Sequence, residues 1–310
     1  MITIDTREPV TPPDRRAVGE LAERAAAHDG VYPLNEEARL ALSAQTGRPE
    51  KTGRFQWGQH LFARDGTDLA GYAFLSDGSA QLVVDPARRR QGVGTALLDR
   101  ITALDPETGL WSFSDLGCAR GFAAARGYEP VRTLLTMEVR LGTGRENPTP
   151  PNPPNSVTIR TFTPDDLDDL VKLNALAFRD HPEQGRLTRA DFAARMDSGW
   201  FDPGGLFLAH NEQGDLVGFH WTKLDAGDAE VYVLGVHPGW SGRGLGRYLL
   251  DAGLDSLAAR GATTVRLWVE GDNRPARTLY ERSGFLVVST DLGYRKLSFS
   301  ESRPAAGTII

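Results

Sequence analysis

Apolar and polar positions alternate through SVTIRTF, residues 156–162, then switch to helical spacing through TPDDLDDLVKLNALAF. The first pattern predicts a strand. The second predicts a helix that starts at Thr163, a good N-cap, with Pro164 at the first helical position. GLFLAHN and LVGFHWTKL read as neighbouring strands with a turn over residues 212–215, and EVYVLGV as a further strand. An apolar helical run follows Gly246 to about Ala259. TVRLWVE then predicts a strand, RPARTLYERSG a helix and FLVVSTDLGYRKLSF a final strand. The fold class expected is mixed α/β, with helices flanking a central sheet.

The same order occurs earlier in the chain. Val84-Asp85-Pro86 matches Val236-His237-Pro238, and one constant offset also carries Gly92 and Gly94 onto Gly244 and Gly246, and Leu97-Leu98-Asp99 onto Leu249-Leu250-Asp251. FAAARGYEPV, residues 122–131, resembles LYERSGFLVV, residues 279–288. An ordered set of matches at a domain-sized period predicts a tandem pair. Between the copies, LGTGRENPTPPNPPNS has no apolar period and reads as a semi-rigid linker. The expected organisation is an N-terminal domain over residues 1–140, a linker over 141–156, a C-terminal domain over 157–300, and a tail over 301–310.

Composition narrows the function classes. The chain has 310 residues, 40% of them hydrophobic, and a formal net charge of -6, which argues against general nucleic-acid binding. Cys118 is its one cysteine, so there is no internal disulfide and no cysteine metal cluster. His181 has no second ligand at metal spacing, and no metal is expected. No apolar run suits a signal peptide or a membrane span, so a soluble cytoplasmic protein is expected, without a membrane partner. A monomer is compatible with everything in the sequence.

The glycine turns carry the chemistry. In GVHPGWSGRGLGRYLLDAG and VVDPARRRQGVGTALLDR, a strand ends in a turn that opens a helix. Free backbone N–H groups and the helix dipole there form an anion cradle, and glycines let a phosphate approach. Arg243 and Arg247 add charge to the second copy, and Arg88, Arg89 and Arg90 to the first. A P-loop would need Gly-Lys-Ser/Thr, and a dinucleotide fingerprint would need glycine where Leu249 stands. A diphosphate-bearing cofactor is the reading that survives.

These residues carry a family resemblance. RRRQGVGTALL and SGRGLGRYLL are similar to the Arg/Gln-x-x-Gly-x-Gly/Ala signature of the GCN5-related N-acetyltransferases, and ARGYEP and RSGFLV to that family's late helix and strand. The resemblance covers nearly the whole chain as a tandem pair, and it implies acetyl-CoA as donor. The cofactor contacts it implies in the first unit are Leu82, Val83, Val84, Arg90, Gln91, Gly92, Val93, Gly94 and Thr95. In the second they are Leu234, Gly235, Val236, Ser241, Gly242, Arg243, Gly244, Leu245, Gly246 and Arg247, with Asn273, Arg274, Pro275, Ala276, Arg277 and Thr278 along the CoA arm. Of this last group, Asn273 is singled out by its side-chain amide.

NALAFRDHPEQGRLT, GWFDPGGLFLA, GFHWTKL, EVYVLGVHP and VEGDN occur in that order and look like the mycothiol synthase family, tandem acetyltransferases acting on a small-molecule amine. That resemblance implies acceptor contacts at Glu36, Glu183, Lys223, Glu230 and Trp268. Trp268 stands where that family usually carries tyrosine, and Asp225 where a histidine is common. Glu230, six residues before Val236, is the expected base for the amine proton, and Tyr280 the expected acid for the departing thiolate. By the repeat offset, Gly78 replaces Glu230 and Ala123 replaces Tyr280 in the first unit. Catalysis is therefore expected in the second unit, with the first a degenerate scaffold. Taken singly, Glu230 is an ordinary strand-edge carboxylate and Tyr280 ordinary helix packing. An acetyltransferase for another amine and a non-catalytic acyl-CoA-binding regulator are the two alternatives.

Overall fold

The computed structural model describes residues 2–6, 9–43, 58–142, 157–179 and 184–296, with Glu36 described by its backbone alone. They divide into two compact units. Unit 1 holds Met1–Leu134 and the chain from Ser289 onward, and unit 2 holds Leu135–Val288.

Unit 1 contains β1 (Ile2–Thr6), α1 (Pro12–Asp29), α2 (Glu36–Ser43), β2 (Gln59–Asp65), β3 (Asp68–Ser76), β4 (Ser79–Val84), α3 (Val93–Leu104), β5 (Gly109–Ser112) and α4 (Gly117–Ala124). The strand β6 (Tyr128–Arg140) begins here and ends in unit 2. Unit 2 continues with β7 (Thr158–Thr161), α5 (Leu167–Ala177), α6 (Arg189–Met196), β8 (Leu206–His210), β9 (Leu216–Asp225), β10 (Asp228–Val236), α7 (Leu245–Ala259), β11 (Thr264–Glu270) and α8 (Arg274–Arg282). The last strand, β12 (Leu286–Lys296), begins in unit 2 and ends in unit 1.

The strand order in unit 1 is β1-β2-β3-β4-β5-β12, and in unit 2 it is β6-β11-β10-β9-β8-β7. Each unit thus closes its sheet with a strand whose sequence adjoins the other. Leu292 and Tyr294 of β12 pair with Ser112 and Leu110 and join the apolar core of unit 1. Leu135, Met137 and Val139 of β6 join the core of unit 2. The unit boundaries at 134 and 288 therefore differ from the sequence boundaries at 140 and 157: repeats mark what was duplicated, while burial assigns a strand by what it packs against.

Both sheets are mixed. The pairs β3–β4 and β9–β10 are antiparallel hairpins, while β4–β5 and β10–β11 are parallel. The helix after each glycine turn lays an apolar stripe on its sheet: Val93, Leu97 and Ile101 in α3, and Leu245, Leu249 and Leu257 in α7, are all buried. A glycine lets each helix come close. A Cβ on Gly71 would stand 2.8 Å from Val93, and one on Gly218 would stand 2.8 Å from Leu249. Among the described residues no helix is long and apolar enough to cross a membrane.

Candidate active site

Asp85 and His237 each follow the strand before a glycine turn, and each side chain accepts the backbone N–H two residues on. One short 3-10 turn follows, and then Gly92 and Gly244 cap α3 and α7 in the left-handed region, at φ 86° and 84°. Neither helix has a side-chain N-cap, so its first N–H groups face outward, as an anion cradle requires. Gly242 is also left-handed, at φ 74°. Val93 and Leu245, expected among the cofactor contacts, turn their side chains into the core and leave only backbone for a ligand.

Arginines around the turns are not equivalent. In unit 1, Arg88 pairs with Asp65 at 2.7 Å and Arg89 forks onto Asp29 at 2.6 and 2.8 Å, so both charges are already met. Gln91 donates to the Ala87 carbonyl, and Arg126 reaches the Thr95 hydroxyl. In unit 2, Arg247 is held by Asp251 at 2.7 Å and by the Arg282 carbonyl. Arg243 has no carboxylate partner among the described residues and lies over the Trp240 ring, 5.2 Å from its centroid. Arg243 is thus the side chain at this turn with charge to spare for a phosphate.

Beyond the turn, the parallel strands part. Pairing between β10 and β11 is confined to Ala229↔Val265 and Glu230↔Arg266, although both strands run on. The gap is a wedge with Glu230 at its apex. Leu234, Gly235 and Val236 lie along its β10 side, and a Cβ on Gly235 would stand 2.5 Å from Phe219. In unit 1 the wedge opens after Ala80↔Leu110. There a cavity of about 930 Å³ is lined by Leu82, Val83, Val84, Arg90, Gly92, Gly94 and Thr95, together with residues of α4.

Only the second wedge carries a bulge. The β9–β10 register slips between Val231 and Val233, leaving Tyr232 as the extra residue, whereas β3–β4 runs without a slip. A bulge frees backbone polar groups and bends the strand, as is common beside active sites. It also corrects the repeat offset. Counting back along each hairpin from Gly71↔Val84 and Gly218↔Val236, the partner of Glu230 in unit 1 is Ser79, not Gly78. Unit 1 still lacks the carboxylate.

Across β9, Lys223 faces Glu230, with Nζ 3.4 Å from Oε1. Its ammonium also lies 5.3 Å from the centroid of Trp200. Trp200 meets Tyr232 edge-on at 4.9 Å, and the Tyr232 hydroxyl accepts from Arg195 Nε at 3.2 Å. The sequence did not reveal Trp200, Tyr232 or Arg195, because α6 and the loop after it are too short to give a periodic signal and a bulge cannot be seen in an alternating strand.

Tyr280 lies on α8, 7% exposed, in the core cluster that contains Ala229 and Val231. Burial pushes its phenol well above the usual range, so it stays protonated through the neutral range. Glu230 points from the face of β10 opposite Ala229 and Val231, which puts its carboxylate and the Tyr280 phenol on opposite sides of the strand.

Asn273 caps α8, its Oδ1 accepting from Ala276 at 3.1 Å, which leaves its amide N–H groups free for a cofactor arm. Arg274, Pro275, Ala276 and Thr278 form the first turns of this helix, while Arg277 folds back onto the Gly271 carbonyl. Ser241 closes the 3-10 turn by donating its backbone N–H to the Pro238 carbonyl. Trp268 is 46% exposed on β11. Glu36 opens α2, which Asn35 caps at 2.8 Å. Glu183 and His181 lie outside the described residues.

Residues 167–285 match the Acetyltransferase (GNAT) family. Over most of its length the chain is similar to proteins named mycothiol acetyltransferase: 46% identical to that of Clavibacter michiganensis subsp. michiganensis, over 92% of each chain. It is 44% identical to that of Kytococcus sedentarius, over 94% of this chain and 97% of the other. A GCN5-related N-acetyltransferase from Sphaerobacter thermophilus aligns with TM-score 0.72 at 25% identity, over 94% of this chain and 95% of the other. A tandem GNAT protein from the clavulanic acid biosynthesis pathway aligns with TM-score 0.66 at 18% identity, over 95% of this chain and 98% of the other.

Proposed function

The chain belongs to the mycothiol acetyltransferases, a branch of the GNAT acetyltransferases, and from that membership we propose how its second unit works. It transfers the acetyl group of acetyl-CoA to the cysteinyl amine of desacetylmycothiol, a cysteinyl-glucosaminyl-inositol. The observation that carries the reading is the β10–β11 wedge with Glu230 at its apex, followed along the chain by the glycine turn that opens α7 and by the buried Tyr280.

In this reading the CoA diphosphate sits on the N–H groups around Gly242–Gly246, with Arg243 alongside. The acyl-pantetheine arm runs along Leu234–Val236, and Asn273 and the first turn of α8 lie on its other side. Glu230 takes a proton from the acceptor ammonium. An α-amino group titrates near about 8, so little driving force is needed. The freed nitrogen lone pair attacks the thioester carbonyl, and the backbone released at the Tyr232 bulge stabilises the oxygen that becomes negative. The C–S bond breaks as Tyr280 supplies a proton to the leaving thiolate, the nitrogen sheds its second proton to water to become the amide, and exchange with solvent returns Glu230 to the carboxylate and Tyr280 to the phenol. Lys223, Glu183 and Trp268 are the proposed acceptor contacts, with a carboxylate for ammonium and hydroxyl donors and a lysine for hydroxyl or carbonyl oxygen. Unit 1 lacks both proton-handling side chains, and its wedge serves as a CoA-shaped scaffold without chemistry.

The test is acetyl-CoA with cysteinyl-glucosaminyl-inositol, following CoA thiol release and acetylated product by mass. Turnover by the wild type supports the reading. CoA binding without that product transfers the assignment to another amine, with Trp268 and Asp225 as the first residues to revisit.

A further inference from the structure

The loop between α6 and β8 brings an aromatic side chain to the candidate site that neither the glycine turn nor the wedge requires. Trp200 is held in a tight turn, in which the Phe201 N–H donates to the Ser198 carbonyl at 3.1 Å and the Ser198 hydroxyl donates to the Arg195 carbonyl. Its indole packs against Trp221 at 5.8 Å and Tyr232 at 4.9 Å, so two walls fix it. One face remains for the Lys223 ammonium, 5.3 Å from the ring centroid.

We infer that Trp200 is a positioning residue of the acceptor site, acting through Lys223 by holding its ammonium beside Glu230. A lysine side chain has four flexible bonds, and the ion pair alone, at 3.4 Å with both side chains partly exposed, does not confine it. The negative face of an indole adds directional attraction, strongest where water is scarce. Together the two contacts leave Lys223 with a free N–H aimed away from ring and carboxylate, toward an incoming hydroxyl or carbonyl oxygen. Because Tyr232 is the bulge residue and also touches Trp200, the same ring ties the acceptor side of the site to the strand distortion on the thioester side.

This inference rests on the proposed function, and a double-mutant cycle separates the two. Trp200→Leu, Trp200→Phe and Lys223→Met are compared singly, and Trp200→Leu is combined with Lys223→Met. The readouts are acceptor KM, acetyl-CoA KM, kcat and melting temperature. Trp200→Leu is expected to raise the acceptor KM by about five- to tenfold, with the acetyl-CoA KM unchanged and Trp200→Phe between leucine and wild type. In the Lys223→Met background the same substitution is expected to add less than about twofold. Undiminished loss in that background, or equal rises in both KM values, overturns the inference. Wild-type turnover of the cysteinyl amine tests the functional reading itself, and the cycle runs on any amine the wild type acetylates. Loss of the upfield ring-current shift of the Lys223 ε-methylene in Trp200→Leu reads the contact with no acceptor present, and its absence in the wild type overturns the inference.

Discussion

Gly92 and Gly244 hold the same backbone conformation, φ 86° and ψ −4° against φ 84° and ψ −4°, at matching places in the two units. Both positions are strained for any side chain, although neither has an atom within 4 Å of where a Cβ would stand. The strain is in the backbone and not in crowding.

Gly244→Ala is therefore expected to cost about 1–2 kcal/mol of stability and to weaken CoA binding by the loss of turn geometry. Gly246→Ala is the control. Its Cβ would meet Leu279 at 3.5 Å and Val236 at 3.7 Å, ordinary contacts, so it should melt like the wild type. Calorimetric titration with CoA and thermal melts of both variants check this.

Glu230→Gln is expected to lower kcat by about 10²–10⁴-fold, the range for a lost general base. Its stability should change by less than about 1 kcal/mol, because the ion pair with Lys223 is long and partly exposed. Steady-state kinetics at saturating acetyl-CoA, together with a melt, separate the two effects. Installing glutamate at Ser79 in this variant should restore nothing, since β4 has no bulge.

Two buried histidines weaken the fold in mild acid. His60 is bonded to the Tyr72 hydroxyl at 2.7 Å, and His220 donates Nδ1–H to the Leu249 carbonyl at 2.8 Å. Burial lowers each to about 4. As the pH falls below about 6.5, the unfolded chain binds protons that the folded chain refuses, so stability drops until about pH 4 and is unaffected by these groups above 6.5. The loss is on the order of 3 kcal/mol for each group. Melting temperature measured from pH 8 to 4 should fall through that window, and less steeply in His60→Gln, which removes one of the two titrations.

Trp268→Tyr restores a hydroxyl on an exposed position of β11, where replacement should leave stability within about 0.5 kcal/mol. If the acceptor reaches this strand, its KM should change severalfold while that of acetyl-CoA does not. Equal values for both proteins would remove Trp268 from the acceptor site.

What could be read from the chain was whatever local spacing encodes. Gly92 and Gly244, the strands before them and the helices after them carry their own signals, so the repeat and the strand–turn–helix geometry were legible. Pairing between distant residues was not. Nothing near Arg89 in sequence says that Asp29 neutralises it, and nothing near Lys223 names Trp200. Tyr232 hides the bulge because EVYVLGV alternates acceptably in either register, and that single extra residue put Gly78 where Ser79 stands. The strands β6 and β12 look like ordinary ends of their own repeats, and only burial of Leu292 and Met137 shows where each belongs.

The placement of β12 orders events in time. A ribosome delivers the first unit's helices and most of its strands early, yet Leu292 and Tyr294 emerge only after the whole second unit has been made. Until then β5 has β4 on one side but lacks β12 on the other, and the core around Leu110 stays open. The first unit of this chain is begun first and finished last, so a truncation near residue 140 would release an unfinished sheet and not a domain.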